Sequence, residues 1–295
     1  MVALERVLVP YDFSAYSEAA AERAIWIAGK SQGRVHLLHA CALPVHGLTP
    51  YEAVLPNGLW DQIHASAVEH LEEIRTNLAA KGGVEVTAQV TDGVPGDAIQ
   101  AAIEALDAQL VVMGTRGRTG LEHLILGSVA ERTLRTASCP VLAVKENGGS
   151  DDIRKIAVGV DFSEPAEEAL ETAAEWANQF GAELHVVHAF DLPMTIITPY
   201  EVAVPTSLLR EAREAATAKL ERAVKRARTS VATVEGHLVE APAGPAIAEE
   251  AKRIGADLVV VGSRGHTGLK HLLLGSVAER TLRLAHCAVL ALKSS

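Results

Sequence analysis

The chain has 295 residues, of which 48% are hydrophobic, and its net charge is −10 at pH 7. This length suits one large domain or two domains of roughly 150 residues each. The acidic balance argues against a nucleic-acid-binding protein, which usually carries a basic face. No apolar run approaches the roughly 20 residues of a membrane-spanning helix.

The number of cysteines and the N-terminal sequence indicate the cellular compartment in which the protein works. Cys41, Cys139 and Cys287 are an odd number, so they cannot form a fully paired disulfide framework. The last two occupy equivalent positions in apolar strands, where cysteine behaves as a small buried side chain. The N-terminal residues lead straight into a strand-like run rather than a signal peptide. We therefore expect a cytoplasmic protein with reduced thiols.

Hydrophobic periodicity predicts the elements of the first half of the chain. The predicted strands and helices are strand 6–10, helix 17–30, strand 35–40, helix 63–81, strand 84–91, helix 96–106, strand 110–113, helix 128–136 and strand 141–144. The first helix should pack through Ala20, Ala24, Ile27 and Ala28, and the second through Ala67, Val68, Leu71, Ile74 and Leu78. This alternation is typical of a doubly wound α/β fold with a parallel sheet.

The second half of the chain repeats the first. Residues 110–135 and 258–283 differ at only five positions, and VLVPYDFS at Val7 to Ser14 is matched by IAVGVDFS at Ile156 to Ser163. A polar, Gly-rich stretch at 145–152 lies between two apolar strands and is interpreted as a linker. We predict tandem domains at 1–147 and 151–295, each a five-stranded parallel sheet of order 3-2-1-4-5 flanked by helices.

The predicted topology indicates where a ligand would bind. In doubly wound sheets, ligands lie beyond the carboxyl ends of the strands, where the strand order reverses. For the order 3-2-1-4-5 this point lies between the first and fourth strands. The residues at those strand ends are Asp12 and Gly114 in one half, and Asp161 and Gly262 in the other.

A glycine pattern follows the fourth strand in both halves. The segment Gly114-Thr115-Arg116-Gly117 is followed by nine residues and then Gly127-Ser128; its counterpart is Gly262-Ser263-Arg264-Gly265, nine residues and Gly275-Ser276. Glycine allows a ligand to approach the backbone closely, and the amides of a helix N-terminus favour a phosphate. The serines have a second interpretation, because Ser128 with Glu131 and Ser276 with Glu279 are spaced as capping boxes.

The pattern G-x2-G-x9-G-S, with an aspartate ending the first strand, resembles the ATP-binding branch of the universal stress proteins over essentially the whole chain. The resemblance implies one nucleotide per domain, with Mg²⁺ carried by the ATP phosphates. The implied binding residues of the first site are Asp12, Ala40, Gly114, Thr115, Arg116, Gly117, Gly127, Ser128 and Val129. Those of the second site are Asp161, Ala189, Gly262, Ser263, Arg264, Gly265, Gly275, Ser276 and Val277. One departure is that Gly159 replaces Pro10 at the second adenine pocket.

The resemblance also implies partners. The two halves would form an internal pseudo-dimer through strands at 141–144 and 289–292, and two chains would associate further into a homodimer. Neither a nucleic acid nor a membrane is expected as a partner.

Two residue types have alternative interpretations. Asp12 and Asp161 either contact the ligand or cap the following helix. His36 and His39, repeated as His185 and His188, invite a metal interpretation, but their spacing puts the rings on opposite faces of a strand. Because no third ligand follows at a suitable spacing, we expect no metal bound by side chains.

No general base, nucleophile or carboxylate pair accompanies the glycines, so fast catalysis is not expected. The leading hypothesis is a stress-response module whose nucleotide state alters its interactions. One alternative is an enzyme, either a slow ATPase or an adenylate-transferring protein. The other is a structural interaction protein that no longer binds nucleotide.

Overall fold

The computed structural model describes residues 4–42, 58–117, 126–146, 152–191, 206–262 and 274–293. The chain divides into two compact units, one of them Ala3–Asn147 and the other containing Gly148–Ser295. Most of the predicted linker, 147–151, lies outside the described residues.

The first unit alternates strands and helices along the chain. Its elements are β1 (Arg6–Pro10), α1 (Ala15–Ser31), β2 (Arg34–Cys41), α2 (Leu59–Gly82), β3 (Glu85–Asp92), α3 (Pro95–Leu106), β4 (Leu110–Gly114), α4 (Ser128–Thr136) and β5 (Val141–Val144). Its strands are parallel in the order β3-β2-β1-β4-β5. The predicted strand order is therefore confirmed in this unit.

The second unit repeats this sequence of elements. They are β6 (Lys155–Gly159), α5 (Glu164–Phe180), β7 (Glu183–Ala189), α6 (Thr206–Ala227), β8 (Val234–Val239), α7 (Ala243–Ile254), β9 (Leu258–Gly262), α8 (Ser276–Leu284) and β10 (Ala288–Leu292). Within the unit the parallel order is β8-β7-β6-β9-β10. The two units thus share one doubly wound α/β fold.

The core lies on both faces of each sheet. The central strands are buried almost throughout, as expected for a parallel sheet covered by helices on both sides. The alanine stripe predicted for α1 is buried, and these small side chains let the helix pack closely on the sheet. The stripe predicted for α2 is narrower than expected, because only Leu71 and Leu78 are fully buried and Val68 is 45% exposed.

None of the helices in the described part of the chain has the length and apolar character needed to cross a membrane.

Candidate nucleotide site

A cavity of about 300 Å³ opens in the first unit beside the carboxyl ends of β1, β2 and β4. The predicted residues on its wall are Asp12, Ala40, Gly114, Arg116, Gly117, Gly127, Ser128 and Val129. Thr115 does not line the cavity. It is buried, its amide donates to the Val144 carbonyl at 3.0 Å, and its own carbonyl accepts from the Gly127 amide at 2.8 Å.

The carboxylate of Asp12 organises the turn between β1 and α1. Its Oδ1 accepts hydrogen bonds from the Ser14 amide, at 3.1 Å, and from the Ser14 hydroxyl. Ser14 is the N-cap of α1 and forms a capping box with Ser17, so Asp12 supports the cap without being the capping residue itself. In the second unit the Oδ1 of Asp161 accepts from the amide and hydroxyl of Ser163, which is the N-cap of α5.

The same turn holds an unusual backbone conformation in both units. Phe13 has φ of 63°, in the left-handed region, which a bulky residue occupies at a cost of about 1–3 kcal/mol. Its ring lies 4.7 Å from the imidazole of His39, whose Nδ1 is 2.7 Å from the Tyr11 carbonyl. Phe162, also at φ of 63°, and His188 repeat this arrangement, with their rings 4.4 Å apart. Such shared strain marks a turn whose shape is fixed by its surroundings.

The N-terminus of α4 forms another part of the wall of the first cavity. Gly127 is the N-cap, Ser128 is the first helical residue, and no side chain among the described residues caps the helix. The first intrahelical bond runs from the Glu131 amide to the Gly127 carbonyl at 2.9 Å. The amides of the helical residues before Glu131 therefore have no partner within the helix, and such amides are suited to bind an anion.

The capping-box interpretation of the serines is wrong in both units. Gly275 is the N-cap of α8 and Ser276 is its first helical residue, again without a side-chain cap among the described residues. Each serine lies one position too far along the chain to cap, because the glycine already has the extended backbone of an N-cap.

Two glycines of the first site differ in whether packing requires them. A Cβ at Gly114 would lie 2.7 Å from the Tyr16 Cβ and 2.9 Å from the Tyr16 carbonyl carbon, so packing against α1 requires glycine there. A Cβ at Gly127 would meet nothing closer than the Thr115 carbonyl oxygen at 3.5 Å. With φ of −73° and ψ of 152°, Gly127 also has a backbone open to any residue. Folding therefore gives no reason for glycine at 127.

The polar groups on the first wall are held in place. Arg116 donates to the Tyr16 hydroxyl at 3.2 Å and lies over its ring, with its guanidinium carbon 5.8 Å from the ring centre. Burial, followed by the nearby carboxylates of Glu18 and Asp12, raises the pKa of Tyr11 to about 12. The Tyr11 phenol is thus neutral at pH 7.

A second cavity of about 230 Å³ occupies the corresponding place in the second unit. The predicted residues on its wall are Asp161, Ala189, Gly262, Gly275, Ser276 and Val277. Ser263, Arg264 and Gly265 lie outside the described residues. Gly159, which replaces Pro10, faces Ile247: a Cβ there would lie 2.5 Å from the Ile247 Cδ1. The isoleucine occupies the space that a proline ring would need.

Sequence reasoning missed the part of each wall that comes from the helix after the third strand. Pro95 and Ile99 of α3 line the first cavity, and Ala243 and Ile247 of α7 line the second. The signal was available, because that helix also begins at the carboxyl edge of the sheet.

The profile of the universal stress protein family matches residues 3–145 and again residues 152–293. The chain belongs to the universal stress protein family. A family member from Methanocaldococcus jannaschii is 35% identical over 48% of this chain and 82% of its own length. One from Mycolicibacterium smegmatis is 30% identical and covers 97% of this chain and 96% of its own.

A solved universal stress protein from Archaeoglobus fulgidus shares the fold. Its TM-score is 0.71 at 23% sequence identity, and the match covers 100% of both chains. The predicted family, tandem arrangement and fold class are confirmed. Membership of this family supports a role in the stress response.

Proposed function

We propose that each unit binds one ATP, and that the chain is a stress-response module whose nucleotide state alters its interactions. The observation that carries this proposal is that one cavity in each unit is lined both by a strand-end aspartate and by a helix N-terminus that begins at a glycine and has no side-chain cap among the described residues. Cavities of this kind, at the strand-order reversal of an α/β sheet, suit small ligands.

The residues of the first wall support one orientation of the nucleotide in the cavity. Asp12 and the backbone near Ala40 lie at the ends of β1 and β2, where an adenosine could meet an acceptor and apolar neighbours. Gly114 and Gly117 would line the ribose and phosphates. The amides that follow Gly127 would bind the phosphates, because an α-helix N-terminus carries partial positive charge.

The second site would use the corresponding residues. Asp161 and Ala189 would face the adenosine, and Gly262, Ser263, Arg264 and Gly265 would follow it toward the phosphates. Gly275, Ser276 and Val277 would hold the phosphates. Mg²⁺ would accompany ATP and be held mostly by the phosphates, since it retains several waters and few protein ligands.

We propose binding rather than turnover, because Asp12 and His39, the side chains of the first wall that could act as a general base, hold the turn between β1 and α1. The Asp12 carboxylate accepts from Ser14, and the Nδ1 of His39 faces a main-chain carbonyl. The alternative is a slow ATPase or an adenylate-transferring enzyme. Steady phosphate release that ends in the Ser128→Ala, Gly127→Val variant would favour the enzyme.

The binding proposal is tested by calorimetric titration of the full chain with Mg-ATP. We expect about two sites, with Asp12→Ala weakening one of them and Asp161→Ala the other. Asp61→Ala, which changes an exposed acidic residue on α2, is the matched control and should bind like the unchanged chain. Binding that none of these substitutions affects would contradict the assigned sites.

We also propose that the two domains pair within the chain through their last strands, β5 and β10, and that chains associate into homodimers. Two family domains in one chain support the internal pair. Small-angle scattering should give a compact particle; separated halves in a strict monomer would contradict this proposal.

A further inference from the structure

Three side chains of types that can ligate metals lie close together in the second unit, on the neighbouring strands β7 and β8. His185 of β7 is the register partner of Glu235 of β8, and His237 follows two residues later. Side chains two apart on a strand share a face, so all three point to the same side of the sheet. The Nδ1 of His185 is 3.0 Å from the Nε2 of His237, and these atoms lie 3.8 and 4.0 Å from a Glu235 carboxylate oxygen.

The largely buried carboxylate of Glu250 contacts the ring nitrogen of His237 that faces away from the cluster. The Nδ1 of His237 lies 2.8 Å from the Oε1 of Glu250 on α7, whose side chain is only 11% exposed. Arg253 donates to that carboxylate at 2.6 Å and is itself farther from the ring nitrogen, at 3.4 Å. The shorter contact favours a proton on Nδ1, which leaves the Nε2 lone pair directed into the cluster.

His185, the other histidine, has a ring nitrogen without a hydrogen bond. Its side chain is 5% exposed, and its Nε2 has no hydrogen-bond partner within the described part of the chain. The Glu183 carboxylate is the nearest acceptor, at 3.6 Å. With a metal on Nδ1, the ring proton of His185 would be on Nε2, which could then donate a hydrogen bond to the Glu183 carboxylate.

We propose that this cluster binds one Zn²⁺ through the Nδ1 of His185, the Nε2 of His237 and the Glu235 carboxylate. Two imidazoles and a carboxylate form a zinc ligand set whose fourth position is filled by water. Tetrahedral ligands at ordinary zinc bond lengths are roughly 3.3 Å apart, a spacing that lies within the range of 3.0 to 4.0 Å found here. Glu250 is then the outer carboxylate that metal-binding histidines usually have.

The exposed position of Glu235 gives the ion a route to the cluster. This side chain is 61% exposed, whereas both histidines are largely covered. To reach tetrahedral spacing, the carboxylate would move about 0.5–0.7 Å closer to the ring nitrogens, and these would separate by about 0.3 Å. The larger movement falls on the exposed side chain, which can make it at little cost.

The first unit lacks this ligand set and serves as an internal control. His36 corresponds to His185, but its register partner is Thr87, and Gln89 stands in the place of His237. The Nδ1 of His36 is 2.8 Å from the Thr87 hydroxyl. Ala102 stands where the second unit has Glu250. One histidine remains there without the other donors.

The test is zinc binding by the full, nucleotide-free chain after removal of metals with a chelator. Zinc content after equilibrium dialysis, and affinity by competition with a chromophoric chelator, are measured for the chain and its variants. We expect the unchanged chain to bind one more Zn²⁺ than His237→Gln or Glu235→Thr, which install the residues of the first unit. Glu250→Gln should weaken this zinc by about 10- to 100-fold.

Two controls separate loss of the site from loss of structure. His36→Gln should retain full zinc binding, because that histidine lacks the partner ligands. Glu235→Thr changes an exposed side chain, and its far-ultraviolet circular dichroism and Mg-ATP binding should be unchanged. Equal zinc content in the unchanged chain, His237→Gln and Glu235→Thr would overturn the proposal and leave a hydrogen-bonded histidine pair.

Discussion

Replacing Gly127 by alanine separates folding from ligand binding at the first site. The added methyl group would make ordinary contacts in the protein, the nearest being 3.5 Å from the Thr115 oxygen. Reduced freedom of the unfolded chain favours the variant by about 0.4–1 kcal/mol. Alanine is a poorer N-cap than glycine, by up to roughly 1 kcal/mol. These effects nearly cancel, so the free energy of unfolding should change by less than about 1 kcal/mol.

Nucleotide binding should respond much more strongly to the same methyl group. If it displaces a phosphate from one amide of α4, one charge-assisted hydrogen bond is lost. That loss is worth about 1.5–3 kcal/mol, or roughly 10- to 100-fold in Kd. Calorimetry with Mg-ATP should show one weakened site and one unchanged site, and urea unfolding should show little change.

The matched control is Gly29→Ala, which adds a methyl group far from the cavity. Gly29 is an exposed residue of α1, where a Cβ would come no closer than 3.7 Å to Val84. Alanine there should stabilise the helix by up to about 1 kcal/mol and leave ATP binding unchanged. If Gly127→Ala binds two nucleotides with unchanged affinity, or if it unfolds, Gly127 does not have the role in phosphate binding proposed here.

Three further predictions concern residues at or beside the two cavities. Gly114→Ala should destabilise the chain by about 1–3 kcal/mol in urea unfolding, since its methyl group would collide with the backbone of α1; unchanged stability would contradict this packing. Tyr11 should ionise near pH 12 in an ultraviolet titration, a step that Tyr11→Phe removes. This pKa is raised above the unfolded value of about 10. The contribution of the neutral phenol to the free energy of unfolding is therefore complete below pH 10 and is lost as the pH rises through 12. Ser14→Ala should cost about 0.5–2 kcal/mol, more than Ser163→Ala, because only Ser14 accepts from the amide of the first helical turn; equal costs would contradict the difference.

The fold could be predicted almost completely from the sequence. The predicted bounds of α4 and β5 agree with the structure to the residue, because strong periodicity and abrupt polar boundaries define them. The buried face of α2 was less predictable. Val68 has helical spacing, yet it is exposed, because its helix contacts the rest of the unit through a narrow stripe.

The candidate site was predictable where it depends on topology, and less so where it depends on local geometry. The strand-end rule brought Asp12 and Gly114 together, as the first cavity does. A one-residue difference in where α4 begins decides whether Ser128 caps the helix, and spacing alone does not resolve it. Thr115 lies between two wall residues but is buried, because the chain turns there toward β5.

The histidine cluster was hidden from sequence reasoning for another reason. His185 and His237 are 52 residues apart, and only the register between β7 and β8 brings them together. A search for ligands at local spacings considers His185 and His188, which lie on opposite faces of one strand.

Each domain is proposed to hold one adenine nucleotide. The most direct test is mass spectrometry of the small molecules released from the purified, denatured chain, with the stoichiometry determined per chain. We expect about two adenine nucleotides per chain, retained or restored by incubation with Mg-ATP, and about one in Gly127→Val. If none is recovered, and calorimetry detects no binding of added ATP, neither domain is a nucleotide site.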